Sequence, residues 1–421
     1  MHKEYKILNF LIYLIGIFPF FKVAFVPRSW GASLFSFSTK YIDIVYFILI
    51  LLLSLLCLKD ILKKNFLLKE QIFLSLGIIL LYIGPLISTV LAYKPYFDVI
   101  MIVNFIVLFS VTVKNYQTVD SKKIFLSIER ISLFYIYGSL LAIVLNFNWA
   151  VQQPYPNSIT GLNIRLYGLA NHPNNLSAMA FLYLILCYIE RTKSKIMLFH
   201  LIATLFVILL AQSKTVMIIT LFVLISISIF KITSVNGRRK FLSLGFLTLF
   251  FSFFIWLIYV NINFIYSKIN SGELGDFDTF TGRSIIWEYT VKYWSLNKLF
   301  GYGNDLWNEQ MQNGFRLFTN GNYAPFHSHN QFYQTLGTSG IMGVIGLSLF
   351  GMIIIYSINK IKGRNKFGLI LFALAIFIRG FTEPVFSNEL NDLNIFITLS
   401  FLLSILLFLK EDYGGSNNVI N

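Results

Sequence analysis

Charge is scarce in this chain: 13% of its 421 residues are Asp, Glu, Lys or Arg, against 56% hydrophobic. So little charge excludes an ordinary soluble domain, whose surface needs far more. Only two cysteines occur, Cys57 and Cys187, both inside apolar runs. They exclude a disulfide framework and offer no metal-ligand spacing. Histidine is rare, with five in all. The amino-terminal run after Met-His-Lys lacks a small-residue cleavage site and is long enough to span a bilayer. It therefore reads as a first helix and not as a signal peptide.

What is abundant is apolar sequence. Phe (44) and Tyr (23) are common, as expected where rings lie in lipid and at headgroup level. A span needs about 20 apolar residues to cross the hydrocarbon layer. Twelve candidates follow: 7–26, 41–58, 71–92, 99–113, 131–148, 174–190, 196–212, 215–230, 241–260, 340–359, 367–382 and 395–409. The expected fold is an all-α integral membrane protein of about twelve transmembrane helices, a single polytopic domain over residues 1–421.

The net charge of +15 reads as topology and not as nucleic-acid binding. With the amino terminus inside, the inner segments are 1–6, 59–70, 114–130, 191–195, 231–240, 360–366 and 410–421. They hold 22 of the 34 Lys and Arg, as the positive-inside rule requires. Both termini are then expected in the cytoplasm. Two outer loops are long, 149–173 and 261–339, the second with helix-like pieces such as Ser284–Trp294. Long loops in compact structures tend to carry function. The tail 414–421 reads as disordered.

A charge near a bilayer is costly unless it is paired or faces a wet cavity. Five outward cations therefore stand out: Arg165, Lys214, Arg283, Arg316 and Arg379. Arg379 has Glu383 four residues on, the spacing of an ion pair on one helix face. Arg165 and Arg283 are loop arginines beside glycine, where backbone can come close to a ligand. Arginine suits phosphate because its planar fork binds oxygens in pairs. Converging arginines would make a diphosphate site. Among the histidines, His172 precedes a span, and His327 and His329 lie in Phe326-His-Ser-His-Asn330 before another. The His-x-His spacing could supply two metal ligands. No third ligand of comparable quality adjoins them in sequence, so a general base is the better reading. Asp276-Phe-Asp278, with Glu273, mimics a metal-binding Asp-x-Asp, but on the outer side it reads as a solvated stretch. Asp305 and Glu309 form a carboxylate pair by spacing only.

Three stretches carry a resemblance. They are Arg165-Leu-Tyr-Gly168 with His172-Pro-Asn174; Gly282-Arg283-Ser-Ile-Ile-Trp287 followed by Leu299-Phe-Gly-Tyr-Gly303; and His327-Ser-His-Asn330 leading to Gly340-Ile-Met-Gly343. Together, over roughly residues 155–350, they resemble the O-antigen ligase and Wzy-type polysaccharide polymerase superfamily. The resemblance implies a GT-C-like membrane glycosyltransferase without metal or cofactor. Its donor would be an undecaprenyl diphosphate-linked oligosaccharide, used at the outer face of a bacterial cytoplasmic membrane. It implies His329 as base, Arg165 and Arg283 as donor diphosphate ligands, and Lys214 and Arg379 as further phosphate contacts. His327, Asn330, His172 and Glu383 would support them. At Lys214 many relatives have arginine, so the bidentate fork is missing there. Membrane lipids, a chain-length regulator and a flippase are the expected partners, with no nucleic acid. A polymerase is preferred to a ligase: the motifs are loose, and Phe/Ile/Lys/Asn-rich usage suggests an AT-rich genome, where capsule and exopolysaccharide clusters are common. A twelve-helix transporter is the alternative of another class. It would be expected to show related halves, and no internal repeat is visible.

Overall fold

A computed structural model of the chain describes residues 2–25, 28, 40–62, 69–116, 119–155, 162–190, 195–233, 280–319, 321, 324–386 and 393–414. Fourteen helices occur among them. They are α1 (His2–Phe25), α2 (Lys40–Leu62), α3 (Lys69–Leu91), α4 (Val99–Thr112), α5 (Ser121–Leu145), α6 (Phe147–Ala150), α7 (Pro173–Glu190), α8 (Lys195–Ala211), α9 (Lys214–Thr233), α10 (Phe280–Trp294), α11 (Glu309–Thr319), α12 (Gln331–Lys360), α13 (Gly363–Gly380) and α14 (Leu393–Gly414). A two-residue ladder, β1 (Val151–Gln152) with β2 (Arg165–Leu166), is the exception to an all-helical fold.

Eleven of the twelve expected spans fall on helices. The twelfth, 241–260, lies outside the described residues, as do Glu273, Asp276, Asp278 and the tail 415–421. Among the described residues, five helices are long and apolar enough to cross a membrane: Lys6–Phe25, Lys69–Leu91, Ser121–Leu145, Gln331–Lys360 and Leu393–Asp412. Four shorter apolar helices accompany them.

Burial sorts these helices. α14 is apolar all round, and from Leu393 to Leu409 its side chains are buried. α7 is buried almost throughout as well. A helix with no polar face belongs in the interior. By contrast, α2 exposes Val45, Ile48, Leu52 and Leu55, and α8 exposes Ile196, Phe199, Ile202 and Phe206. Such continuous apolar faces are a liability in water and suit lipid. Several hydroxyls inside the spans bond back to their own helix. Ser132 donates to Ile128 O (3.0 Å), Thr220 to Val216 O (2.7 Å) and Ser400 to Phe396 O (2.7 Å). No water is needed to satisfy them.

α3 and α12 cross so closely that only glycine fits. A Cβ on Gly84 would collide with the backbone of Gly343, and one on Gly346 with Leu80 O. Small residues allow this approach where no hydrophobic drive acts between helices in lipid. The expected span started at 340; the helix starts at Gln331, and Gly340 breaks it with φ 62° and ψ −158°. The kink frees backbone groups, and the Leu299–Gly303 turn takes them up. Tyr302 N–H donates to Gly337 O (2.8 Å), Ile341 N–H to Lys298 O (3.0 Å) and Met342 N–H to Leu299 O (3.1 Å). The turn glycine motif and Gly340 are thus two halves of one joint. It fixes the first turns of α12, just after the loop that carries the histidines.

Overpacking this crossing would be felt at once. Gly343→Leu is expected to destabilise the protein by about 1–3 kcal/mol or more. A thermal unfolding midpoint in detergent equal to that of the unsubstituted protein would show that the crossing is not tight.

Candidate functional site

Three chain segments far apart in sequence meet at one carboxylate. Glu383 follows α13 and is 8% exposed. The sequence placed it on one helix face with Arg379. The helix instead stops at Gly380, and Thr382 N–H and Glu383 N–H both close on Arg379 O (2.9 and 2.9 Å). Pro384 explains the stop, because the residue before proline is pushed out of helical geometry. Freed from the helix face, the carboxylate reaches other partners. Arg283 Nη2 lies 3.7 Å from Oε1; His327 Nε2 lies 3.7 Å and His329 Nδ1 3.5 Å from Oε2. Asn174 Nδ2 donates to Oε1 at 2.7 Å.

Arg165 joins this centre through Asn174, to whose Oδ1 its Nη2 donates (3.1 Å). β2 holds Arg165 by pairing with β1, in the register Gln152 to Arg165. Its Nε donates to Ala211 O (3.3 Å), and its guanidinium lies 5.0 Å over the Tyr155 ring. Gln212, in a left-handed turn (φ 51°) between α8 and α9, donates to Leu162 O and Ile164 O just before the arginine. Within Gln212-Ser213-Lys214 the glutamine is therefore the residue that supports the Arg165 strand. Lys214 is exposed at the start of α9.

The loop that carries His327 and His329 is held from every side. His329 has φ 47°, a left-handed conformation that costs a non-glycine residue energy and persists only when its surroundings impose it. Ser328 is fully buried. Its N–H donates to Gln334 Oε1 (2.8 Å), and its carbonyl accepts from Trp287 Nε1 (2.9 Å). Its hydroxyl meets Trp307 Nε1 (3.2 Å) and Thr290 Oγ1 (3.1 Å). Trp287 also stacks flat on Tyr333, with centroids 4.9 Å apart. Trp287 lies one helical turn after Arg283 on α10, so that helix positions an arginine and the loop anchor together. Asn330 caps α12 through Tyr333 N–H (3.2 Å), and its Nδ2 donates to Phe381 O (3.1 Å). Gln331 Oε1 accepts from Phe386 N–H (2.8 Å). These two bonds tie the histidine loop to the turn that carries Glu383.

His172 lies edge-on to Tyr167, and its Nδ1 accepts from Asn174 N–H (3.2 Å). Arg379 is buried, and its Nη2 donates to Asn175 Oδ1 (2.6 Å). It heads an apolar cavity among α7, α9, α13 and α14, lined by Phe181, Ile219, Phe372 and Ile397. Arg316 bonds locally to Asn313 and takes no part in the cluster. Asp305 accepts from Asn308 at 2.8 Å, a turn contact and not half of an acid pair.

Some contributors had no distinct sequence signal. Arg28 donates to Ala170 O and Gly168 O (2.6 Å each) and lies 4.5 Å over the Trp149 ring. It pins the loop that leads to His172. A positive charge just past the first span, against the positive-inside pattern, was the available clue. Asn174 and Ser328 look unremarkable until the fold places them.

Electrostatics follow from this packing. Burial pushes His327 down to about 3, with the charge of His329 adding to it. Burial likewise pushes His172 down to about 4, partly opposed by Glu383. For Glu383, burial works to raise the carboxyl, but the hydrogen bond and charge of His329 outweigh it, with help from His327 and His172. The carboxyl is held well below its usual range. A carboxylate only accepts, so a proton on His329 Nδ1 would face Glu383 Oε2, 3.5 Å away. His327 Nδ1 accepts from His329 N–H (3.1 Å), which leaves the His327 proton on Nε2, also facing Oε2. The ligand atoms of His327, His329 and Glu383 lie within 4.8 Å of one another, a third potential metal ligand that the sequence did not reveal.

With this geometry in place, known proteins can be compared. Residues 178–350 match the O-antigen ligase family. A relative, the exopolysaccharide production protein ExoQ of Rhizobium meliloti, is 27% identical over 121 residues. That match covers 27% of this chain and 28% of the relative, so the chain aligns with under a third of its length. The likeness to the O-antigen ligase and Wzy-type superfamily holds over this stretch, and with the apolar helices it marks a multi-pass membrane protein. The family stretch contains Lys214, Arg283, His327, His329 and Asn330. Arg165, His172, Arg379 and Glu383 flank it and reach the same centre through the fold.

The histidine shifts carry a sign. Unfolded His172 titrates near 6.5, so below that pH the unfolded chain takes the proton first. Stability present above pH 6.5 is lost as pH falls toward 4. Unfolding midpoints measured from pH 7.5 to 5 are expected to decline, and His172→Asn is expected to flatten the decline. An equal slope in that variant would contradict a neutral, buried His172.

Proposed function

We propose that the protein is a membrane glycosyltransferase that polymerises lipid-linked oligosaccharide repeat units. It would move a glycan from undecaprenyl diphosphate to an acceptor sugar hydroxyl outside the cytoplasmic membrane. The observation that carries this reading is the convergence of His329, Arg283 and, through Asn174, Arg165 on the Glu383 carboxylate. The family match is consistent with it.

Each group then has a task. His329 Nε2 takes the acceptor hydroxyl proton, and Glu383 steadies the ring and the positive charge it gains. The acceptor oxygen attacks the anomeric carbon as the bond to the diphosphate breaks. Charge builds on the leaving phosphate, and Arg283 and Arg165 answer it from fixed positions, the role a metal ion plays elsewhere. Direct displacement inverts the anomeric centre. Arg379 and Lys214 add positive charge near the donor, and the apolar cavity below Arg379 suits isoprenoid entering between spans. His172, His327 and Asn330 hold the loops.

The description of the matching family favours a second reading, a ligase that hands the glycan to lipid A core or another final acceptor. Both readings use the same residues and differ in the acceptor. Purified protein given lipid-linked repeat units is expected to make polymer. His329→Ala and Arg283→Ala, folded to the same unfolding midpoint, are expected to lose about 100-fold or more. Full activity in His329→Ala would remove the base. Single transfers to a core acceptor, without chain growth, would select the ligase.

A further inference from the structure

The geometry points to a second use of the same cluster: an inhibitory site for a divalent cation of the zinc class. Glu383 Oε2 faces two imidazole nitrogens, His327 Nε2 at 3.7 Å and His329 Nδ1 at 3.5 Å. Zinc bonds of about 2.0–2.1 Å in a tetrahedron separate ligand atoms by about 3.3 Å. Shifts of a few tenths of an ångström bring each nitrogen–oxygen pair to that separation, and with all three atoms within 4.8 Å of one another they can close on one ion and leave a fourth position for water. The other carboxylate oxygen is engaged by Asn174 and Arg283, which orients Oε2 toward the histidines. The two histidine side chains are 28% and 20% exposed, so the ion has a way in. Two nitrogens and one oxygen favour zinc, copper or nickel over magnesium or calcium, which want oxygen throughout.

The hydrogen bonds argue against a resident, tightly held metal. His327 Nδ1 accepts from His329 N–H. Binding at Nε2 moves the proton to Nδ1 and breaks that bond, whereas dedicated sites have ligand histidines that donate outward. The Arg283 charge, 3.7 Å from the carboxylate, opposes the ion as well. Binding is therefore reversible. Its consequence follows from imidazole chemistry. With Nδ1 on the metal, neutral His329 carries its proton on Nε2, and the lone pair that would take the acceptor proton is gone. The cation and the base role exclude each other. The inhibition rests on the proposed function; the binding rests on geometry alone.

Tag-free, full-length protein in detergent should be titrated with Zn²⁺ by calorimetry and with Co²⁺ by visible absorption. One Zn²⁺ per chain is expected, together with the visible bands of four-coordinate cobalt, while Mg²⁺ gives neither. His327→Asn and His329→Asn should each weaken Zn²⁺ binding at least about tenfold. In the transfer assay, micromolar Zn²⁺ should inhibit and EDTA should restore activity. No saturable Zn²⁺ binding and no cobalt bands in the unsubstituted protein would overturn the site. So would unchanged affinity in His327→Asn. Binding with undiminished transfer would overturn the inhibitory role. Binding by a protein that transfers no glycan would leave the site standing and bring down the proposed function instead.

Discussion

A carboxylate almost sealed from solvent is unstable unless donors surround it, and the rest of the site is arranged to supply them. Glu383 draws Arg283 from α10, Asn174 from the start of α7, and His327 and His329 from the loop before α12. The donors come from three different parts of the chain. The buried charge therefore acts as a fixed point that brings together loops otherwise free to drift at the helix ends. The same carboxylate faces Nδ1 of His329, 3.5 Å away, and so orients that ring.

The helices make this precision affordable. Glycines let α3 and α12 cross at backbone contact, and the Gly340 kink is filled by the Leu299–Gly303 turn. Those joints hold the first turns of α12. Trp287, Trp307, Thr290 and Gln334 then fix Ser328, and through it the left-handed His329. A conformation that costs energy is kept at the residue best placed to do chemistry, and surrounding hydrogen bonds maintain it. The same fixed geometry brings three metal-ligating atoms near one point, so an arrangement that orients His329 is also a potential trap for a cation.

Much of the architecture could be read from apolar run length, which needs no tertiary information: eleven expected spans lie on helices. Arg165, Arg283 and His329 could be picked out because charge and histidine are rare enough here to stand out. Their common partner, Glu383, could be picked out too, but only by its spacing from Arg379. The spacing of Arg379 and Glu383 promises a helix-face pair only if the helix continues, and Pro384, visible in the sequence, ends it. Asn174, Ser328 and Arg28 were illegible for a different reason. They act by bonding to backbone or to a distant side chain, and no local pattern encodes a partner 142 or 209 residues away. Lys214 was the reverse case: a conspicuous charge, while its neighbour Gln212 supports the arginine strand.

The central claim is that Glu383 and His329 work as one unit, and a double-mutant cycle on the transfer rate addresses it most directly. Residues that act together lose most of their joint effect with the first substitution. Glu383→Gln in the unsubstituted protein should slow transfer strongly, whereas the same change in a His329→Asn background should cost little more. Losses that simply multiply would show two independent groups and contradict the account.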